Sequence, residues 1–233
     1  MRNGVLTLLV SLSLVTSFGQ QAPVPAEEEP FHSTMFRNEH VLAVGVEIPP
    51  HQTTQVHQHA HQYLAVSLTN ATLTTSVPGK PAVQQKRRRG EAWMASPVVH
   101  AVRNDGDTSF RATVVDFLAR QGEVKPSTQK PSRYCNPKST TACVSERYLF
   151  CTDRICVSDV EMGPGALTMK HSHSTDHMVI AISDLEMKDM IEGRPAAVTR
   201  SQKSGQVVFV DAGITHQLEN GPKPARFITV SWK

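Results

Sequence analysis

Aromatic residues are scarce in this chain: eight Phe, three Tyr and two Trp among 233 positions. Charge of one sign is also lacking, with 24 basic against 21 acidic residues. Without a basic stripe interleaved with aromatics there is no footprint for nucleic acid. The one basic run, Lys86-Arg87-Arg88-Arg89, reads as a solvated hairpin edge, with an anion patch as the competing reading. No apolar run is long enough to span a bilayer, and beyond the first nineteen residues no stretch carries a helical period. Cysteine is limited to Cys135, Cys143, Cys151 and Cys156, without any C-x2-C pair, which argues against a four-cysteine zinc site.

The N-terminus has the form of an export signal. Arg2 precedes an apolar run from Val5 to Val15, and small residues at Ser17 and Gly19 suit cleavage after Gly19. Residues 1–19 are therefore expected to be a signal peptide and 20–35 a disordered leader. The mature protein is expected to be secreted or periplasmic and to have no stable membrane insertion. An even number of cysteines in an exported chain implies two disulfides. Of three connectivities, Cys135–Cys143 with Cys151–Cys156 is favoured, because Thr152-Asp153-Arg154-Ile155 can turn a tight hairpin.

Histidine is what the chain does have. Eight of its eleven fall in two matching blocks: His57, His59, His61 and later His100, then His171, His173, His177 and later His216. The match extends to the surroundings. Val46-Glu47-Ile48 aligns with Val160-Glu161-Met162, Gly79-Lys80-Pro81-Ala82 with Gly193-Arg194-Pro195-Ala196, and Asn104 with Asn220. Two tandem domains follow, at 36–120 and 148–233, joined by a polar linker over 121–147 that holds the start of a cysteine hairpin. Short runs rich in Val, Ile and aromatics, such as Tyr63–Leu68 and Phe227–Trp232, alternate with turn residues such as Asn104-Asp105-Gly106. The fold class is all-β, as barrels or sandwiches.

Side chains alternate across a strand, so a regular strand places His57, His59, His61 and Tyr63 on one face, and likewise His171, His173, Thr175 and His177. Unpaired imidazoles are costly to bury, and neutral imidazole is the commonest metal ligand. Each cluster is thus a candidate metal site closed by His100 or His216. A set of histidines that only hydrogen-bond inside a barrel, and a closed structural zinc site, are the alternatives.

These motifs resemble those of the cupin superfamily. Gly165, His171 and His173 match its first motif, with His177 at the usual Glu position and Asp184 at the final Gly. Gly205, Gly213, His216 and Asn220 match the second, with Asp211 at the Pro position. In the first copy His57, His59, Gly90, His100 and Asn104 match, Tyr63 holds the Glu position, and His51 and Asn70 replace glycines. The resemblance implies two tandem jelly-roll-like conical barrels, each able to hold Fe, Mn, Ni or Zn, with Fe favoured. It also implies a metal-dependent, Fe(II)-type oxygenase acting on a small anionic or oxygen-rich molecule. The alternative is a non-catalytic periplasmic small-ligand or metal-binding cupin. Tyr63 and Asp176 are the candidates for acid–base roles. The missing carboxylate departs from the carboxylate-containing manganese sites of the family's oxalate enzymes.

Overall fold

The computed structural model describes residues 22–137 and 139–233; the expected signal peptide lies outside them. Strands dominate, and the 3-10 turn Ala26–Glu28 is the sole helical element among the described residues. Each copy is a pair of sheets. In the first copy one sheet runs Val24–Pro25, His57–His59, Val98–Asn104, Ala71–Ser76, Val83–Arg87. The facing sheet runs His32–Arg37, Val41–Ile48, Phe110–Phe117, Tyr63–Ser67, Ala92–Ala95. The second copy repeats this, with His171–His173, Ile214–Asn220, Leu185–Ile191 and Val198–Gln202 in the smaller sheet. Its larger sheet runs Lys125–Pro126, Cys143–Cys151, Ile155–Met162, Ala225–Trp232, His177–Ala181, Val207–Val210, and Ser132–Cys135 adds beside Cys143–Cys151.

Three stretches differ from the sequence reading. Residues 22–35 form no loose leader: Val24 and Pro25 pair in parallel with His57 and Gln58, Ala26 is buried, and His32 starts a sheet strand. Glu29 ties this segment down, its carboxylate accepting from the Phe31 and Gln55 amides at 2.7 and 3.1 Å. The linker over 121–147 likewise supplies strand to the second copy's larger sheet. The basic run is only partly solvated. Arg87 pairs with Glu91 at 2.7 Å and lies over the Trp93 ring, and Arg89 donates to the Ile182 carbonyl of the other barrel.

The barrels meet through the first copy's sheet that holds Val41–Ile48 and the second copy's larger sheet. Strict alternation along Val41–Ile48 and Phe110–Phe117 sends one row of side chains into the first barrel and the other toward the second copy. The outward rows, including Leu64, Val66, Val115 and Phe117, join Ile155, Met178, Ile180 and Ile228 in one apolar cluster. Repeated glycines let the barrels approach closely. Gly90 at φ +81° lies under the Arg226 guanidinium, and Gly205 at φ +95° lies against Leu68 with its carbonyl accepting from Thr113 Oγ1. A side chain at either would be strained by that φ and would meet the neighbour.

The two disulfides are Cys135–Cys143 and Cys151–Cys156, the favoured pairing. Both link residues directly opposite each other in paired strands. Replacing Cys151 and Cys156 together by Ser should lower stability by about 2 kcal/mol in the chain-entropy picture, read as a shift of the urea midpoint at unchanged slope.

Candidate metal centres in the two barrels

In the first barrel, His57 and His59 lie two apart on a short strand and so share its inner face. That strand pairs with Val98–Asn104 in a register that sets His57 opposite His100. One ring nitrogen from each of the three lies within 4.8 Å of the others, and all three residues are buried. The second barrel repeats this through the His171 and His216 pair, grouping His171, His173 and His216 within the same limit. It is the more open site, with His171 and His173 only partly buried.

Outer hydrogen bonds fix these rings. His57 Nδ1 lies 2.9 Å from the Gln55 carbonyl, and His171 Nδ1 lies 2.8 Å from that of Met169. A carbonyl can only accept, so these nitrogens carry the proton and leave Nε2 free as a ligand atom. A carboxylate completes each site: Asp116 sits 3.0 Å from His59 Nδ1, and Asp189 sits 2.8 Å from His216 Nδ1. Such outer partners orient metal-binding imidazoles and raise their basicity.

The residues fit a divalent transition ion. His100 Nε2 is buried without any hydrogen-bond partner, a cost that a bound cation would remove. Burial, reinforced by neighbouring imidazoles, pushes His57 down to about 4 and His100 to about 3, so both are neutral donors near pH 7. His173 is pushed to about 4 for the same reasons, and burial also lowers His216 despite Asp189.

The expected single-face strand does not persist past the H-x-H pair. The first copy's strand ends at His59, residues 60–62 turn, and the chain re-enters the opposite sheet at Tyr63. His61 falls in that turn and is outside the convergent group. Tyr63 instead stacks on His59 with ring centres 4.2 Å apart, and its hydroxyl is pushed up to about 12 by burial and by Asp116. His177, its counterpart, stacks on His173 at 3.7 Å and leaves Nδ1 buried without a partner, but lies outside the convergent three. Asp176 points elsewhere, accepting from the Ala212 amide at 2.8 Å.

A residue with no motif signal joins the first site. His32 packs edge-on against His57 at 4.8 Å and lies 6.3 Å from His59, with Nδ1 held by the Ala26 carbonyl. Burial and His57 push it down to about 4. His32 pairs with Val46 where Glu146 pairs with the equivalent Val160, so the duplication carries no histidine there.

The two neighbours Asp176 and His177 should separate cleanly. Asp176→Ala should leave metal content unchanged and cost about 1 kcal/mol of stability from the lost hydrogen bond. His177→Glu should restore a carboxylate beside the second site and retain metal there. Metal stoichiometry of the purified variants checks both; loss of metal from Asp176→Ala would show that its carboxylate turns inward.

The first site lies in a cavity of about 550 Å³. Its wall includes Val46, Leu73, Trp93, Val98, Phe110 and Val114, with Lys80 and Arg87 the cationic residues among the lining.

No protein-family model matches the chain, and no curated protein does. Solved structures do match. AerE from Microcystis aeruginosa aligns with a TM-score of 0.56 at 12% identity, over 88% of this chain and 98% of that one. A Lactobacillus farciminis oxalate decarboxylase in a formate complex aligns with a TM-score of 0.56 at 14% identity, over 84% and 77%. A cupin 2 conserved barrel domain protein from Leptotrichia buccalis aligns with a TM-score of 0.50 at 9% identity, over 87% and 88%. At such identities the likeness is one of fold, and function has to be argued from the site.

Proposed function

We propose that this chain, whose fold is that of two cupin barrels, is an exported metal-dependent oxygenase of the Fe(II) type acting on a small organic molecule with an acidic oxygen end. The observation that carries this reading is the buried His57, His59 and His100 group in a cavity whose lining contains no acidic residue. Three neutral ligands leave the charge of a dication uncompensated within its coordination shell, which favours an anionic or enolate-like ligand at an open position. Imidazole suits Fe, Ni, Zn and Cu, whereas carboxylate-rich sets suit Mn, so the donor set turns away from manganese and from oxalate-type chemistry.

When bound, a redox-active ion of this kind supplies Lewis acidity and electrons for dioxygen chemistry. The protein's part is orientation and exclusion. The Gln55 carbonyl and Asp116 hold His57 and His59 in position, and Tyr63 covers one face of His59. Tyr63 stays protonated near neutral pH, so it can donate a hydrogen bond to a ligand oxygen but is a poor base. Trp93 and Phe110 give the cavity an apolar wall against which an organic body can pack. Export is supported by two disulfides, and among the described residues no helix is long and apolar enough to cross a membrane.

A second reading holds for the second barrel. His173 Nε2 and His216 Nε2 lie 3.2 Å apart, a distance at which they can share a proton, so that barrel can stand as a non-catalytic binding or structural unit. The test is elemental analysis of protein recovered from the exporting compartment. Oxygen uptake by the Fe(II)-loaded protein is then measured over a panel of enols and aromatic acids, with Zn(II)-loaded protein as the redox-inert control. Iron-dependent uptake that vanishes in His57→Ala/His100→Ala supports the oxygenase; metal binding without uptake favours a binding protein, and no metal above trace overturns the reading.

A further inference from the structure

The first barrel's cavity is much larger than its metal-type site requires. A diacid as small as oxalate, placed against His57, His59 and His100, would leave most of the 550 Å³ to water. Much of the wall away from the histidines is apolar, through Val46, Leu73, Trp93, Val98, Phe110 and Val114, while Thr54, Thr75, Gln85 and Ser96 add a few polar groups. Mainly apolar pockets of this size with a few placed polar groups suit small organic molecules. The charge of the lining is one-sided: Lys80 and Arg87 are present and no Asp or Glu is. Arg87 is already engaged by Glu91 and Gln85 at 2.7 and 2.6 Å and lies 3.9 Å over the Trp93 ring, so it stiffens the wall. Lys80 is exposed, and among the described residues no carboxylate pairs with it. His32 adds a fourth imidazole to the lining, beside His57.

We propose that the first barrel binds an amphipathic, weakly acidic organic molecule, with a ring-sized apolar body against Trp93, Phe110 and Leu73 and an ionisable oxygen end at the histidines. The apolar body supplies the binding free energy through the surface it buries, and the oxygen end supplies orientation. This inference rests on the proposed metal site for the placement of the oxygen end, while the apolar body depends on the cavity alone.

Calorimetric titration of the mature protein, metal-free and loaded with redox-inert Zn(II), separates the two. The probes are 2-naphthoate, its neutral analogue 2-naphthalenemethanol, and oxalate. On the Zn(II) form 2-naphthoate should bind at least about 10-fold more tightly than either of the others. Ala65→Phe, which projects a ring into the cavity, should abolish that binding while circular dichroism shows the fold retained. If Ala65→Phe does not fold, Ala95→Phe at the partly exposed end of the cavity serves instead. Oxalate binding as tightly as 2-naphthoate, or 2-naphthoate binding unchanged in the filled variant, overturns the proposal. Zinc uptake without any 2-naphthoate binding sinks this inference and leaves the metal reading standing. Equal 2-naphthoate binding with and without zinc, where zinc is not retained, supports the apolar cavity and sinks the metal reading.

Discussion

His57→Ala combined with His100→Ala should remove the more tightly held of two metal equivalents, and His171→Ala with His216→Ala should remove the weaker. The sequence alone points the other way, because the second copy has His177 where the first has Tyr63. Two features of the structure reverse the ranking. Tyr63 and His177 both act as stacking partners of the second histidine of the H-x-H pair, so neither copy gains a convergent ligand at that position. The outer carboxylates, by contrast, differ in strength. Asp116 is buried and, among the described residues, His59 is its only ion-pair partner, so its charge acts on the first site. Asp189 shares its charge with Arg200, whose Nε lies 2.6 Å from Oδ2. A dication in the first barrel therefore meets an uncompensated anion at its outer shell, and one in the second does not. Asp116→Asn should weaken the first site by about 10–100-fold, the range typical of outer-shell partners, and Asp189→Asn should weaken the second by the lower end of that range. Chelator competition on the paired variants measures both. If the tighter equivalent is lost with His171 and His216, the second barrel holds the principal site.

What the sequence made legible was whatever the chain states twice. The all-β class in two copies, the grouping of His57 and His59 with His100 and of His171 and His173 with His216, and the glycines at 90 and 205 all follow from the repeat and its motifs. Period-two parity holds within a strand and so placed His57 with His59 correctly. It fails at residues 60–62 because the chain there leaves one sheet for the other, and no periodicity marks such a crossing. His61 was lost to the site for that reason. The outer shell was invisible for another reason. Asp116 anchors His59 from the Phe110–Phe117 strand, and its counterpart in the repeat is Ser231; Asp189 anchors His216 from the Leu185–Ile191 strand, and its counterpart is Thr75. Each barrel solved the anchoring problem once, from a different strand. His32 was hidden in a polar, proline-bearing stretch whose composition suits disorder, yet the buried Glu29 carboxylate and pairing beside His57 order it.

Acid should unfold the metal-free protein at a pH where most globular proteins remain folded, with a midpoint about pH 4–5 and an uptake of several protons. Six histidines have folded-state values depressed from 6.5: His32, His57 and His173 to about 4, His100 and His177 to about 3, and His216 in the same direction. Burial is the main cause in each, and neighbouring imidazoles add to it. The sign follows from proton counts. Above pH 6.5 neither the folded nor the unfolded chain holds these protons, and the histidines do not affect stability. Between 6.5 and about 4 the unfolded chain takes them up and the folded one does not, so stability falls as pH falls, by up to about 1.4 kcal/mol per pH unit for each group. His173 is partly exposed and contributes less. Several such groups acting together erode a large part of the stability of an ordinary domain, about 5–15 kcal/mol. A bound metal ion requires neutral imidazoles and the folded arrangement, so saturating Zn(II) should move the midpoint lower, by an amount set by its affinity. Far-ultraviolet circular dichroism against pH, with and without Zn(II), reads the effect. His100→Gln should lower the proton uptake by one, because it removes one of the depressed groups. A protein that keeps its full denaturant stability from pH 7 to pH 4 without metal would show that these imidazoles are hydrated and free to charge in the folded state.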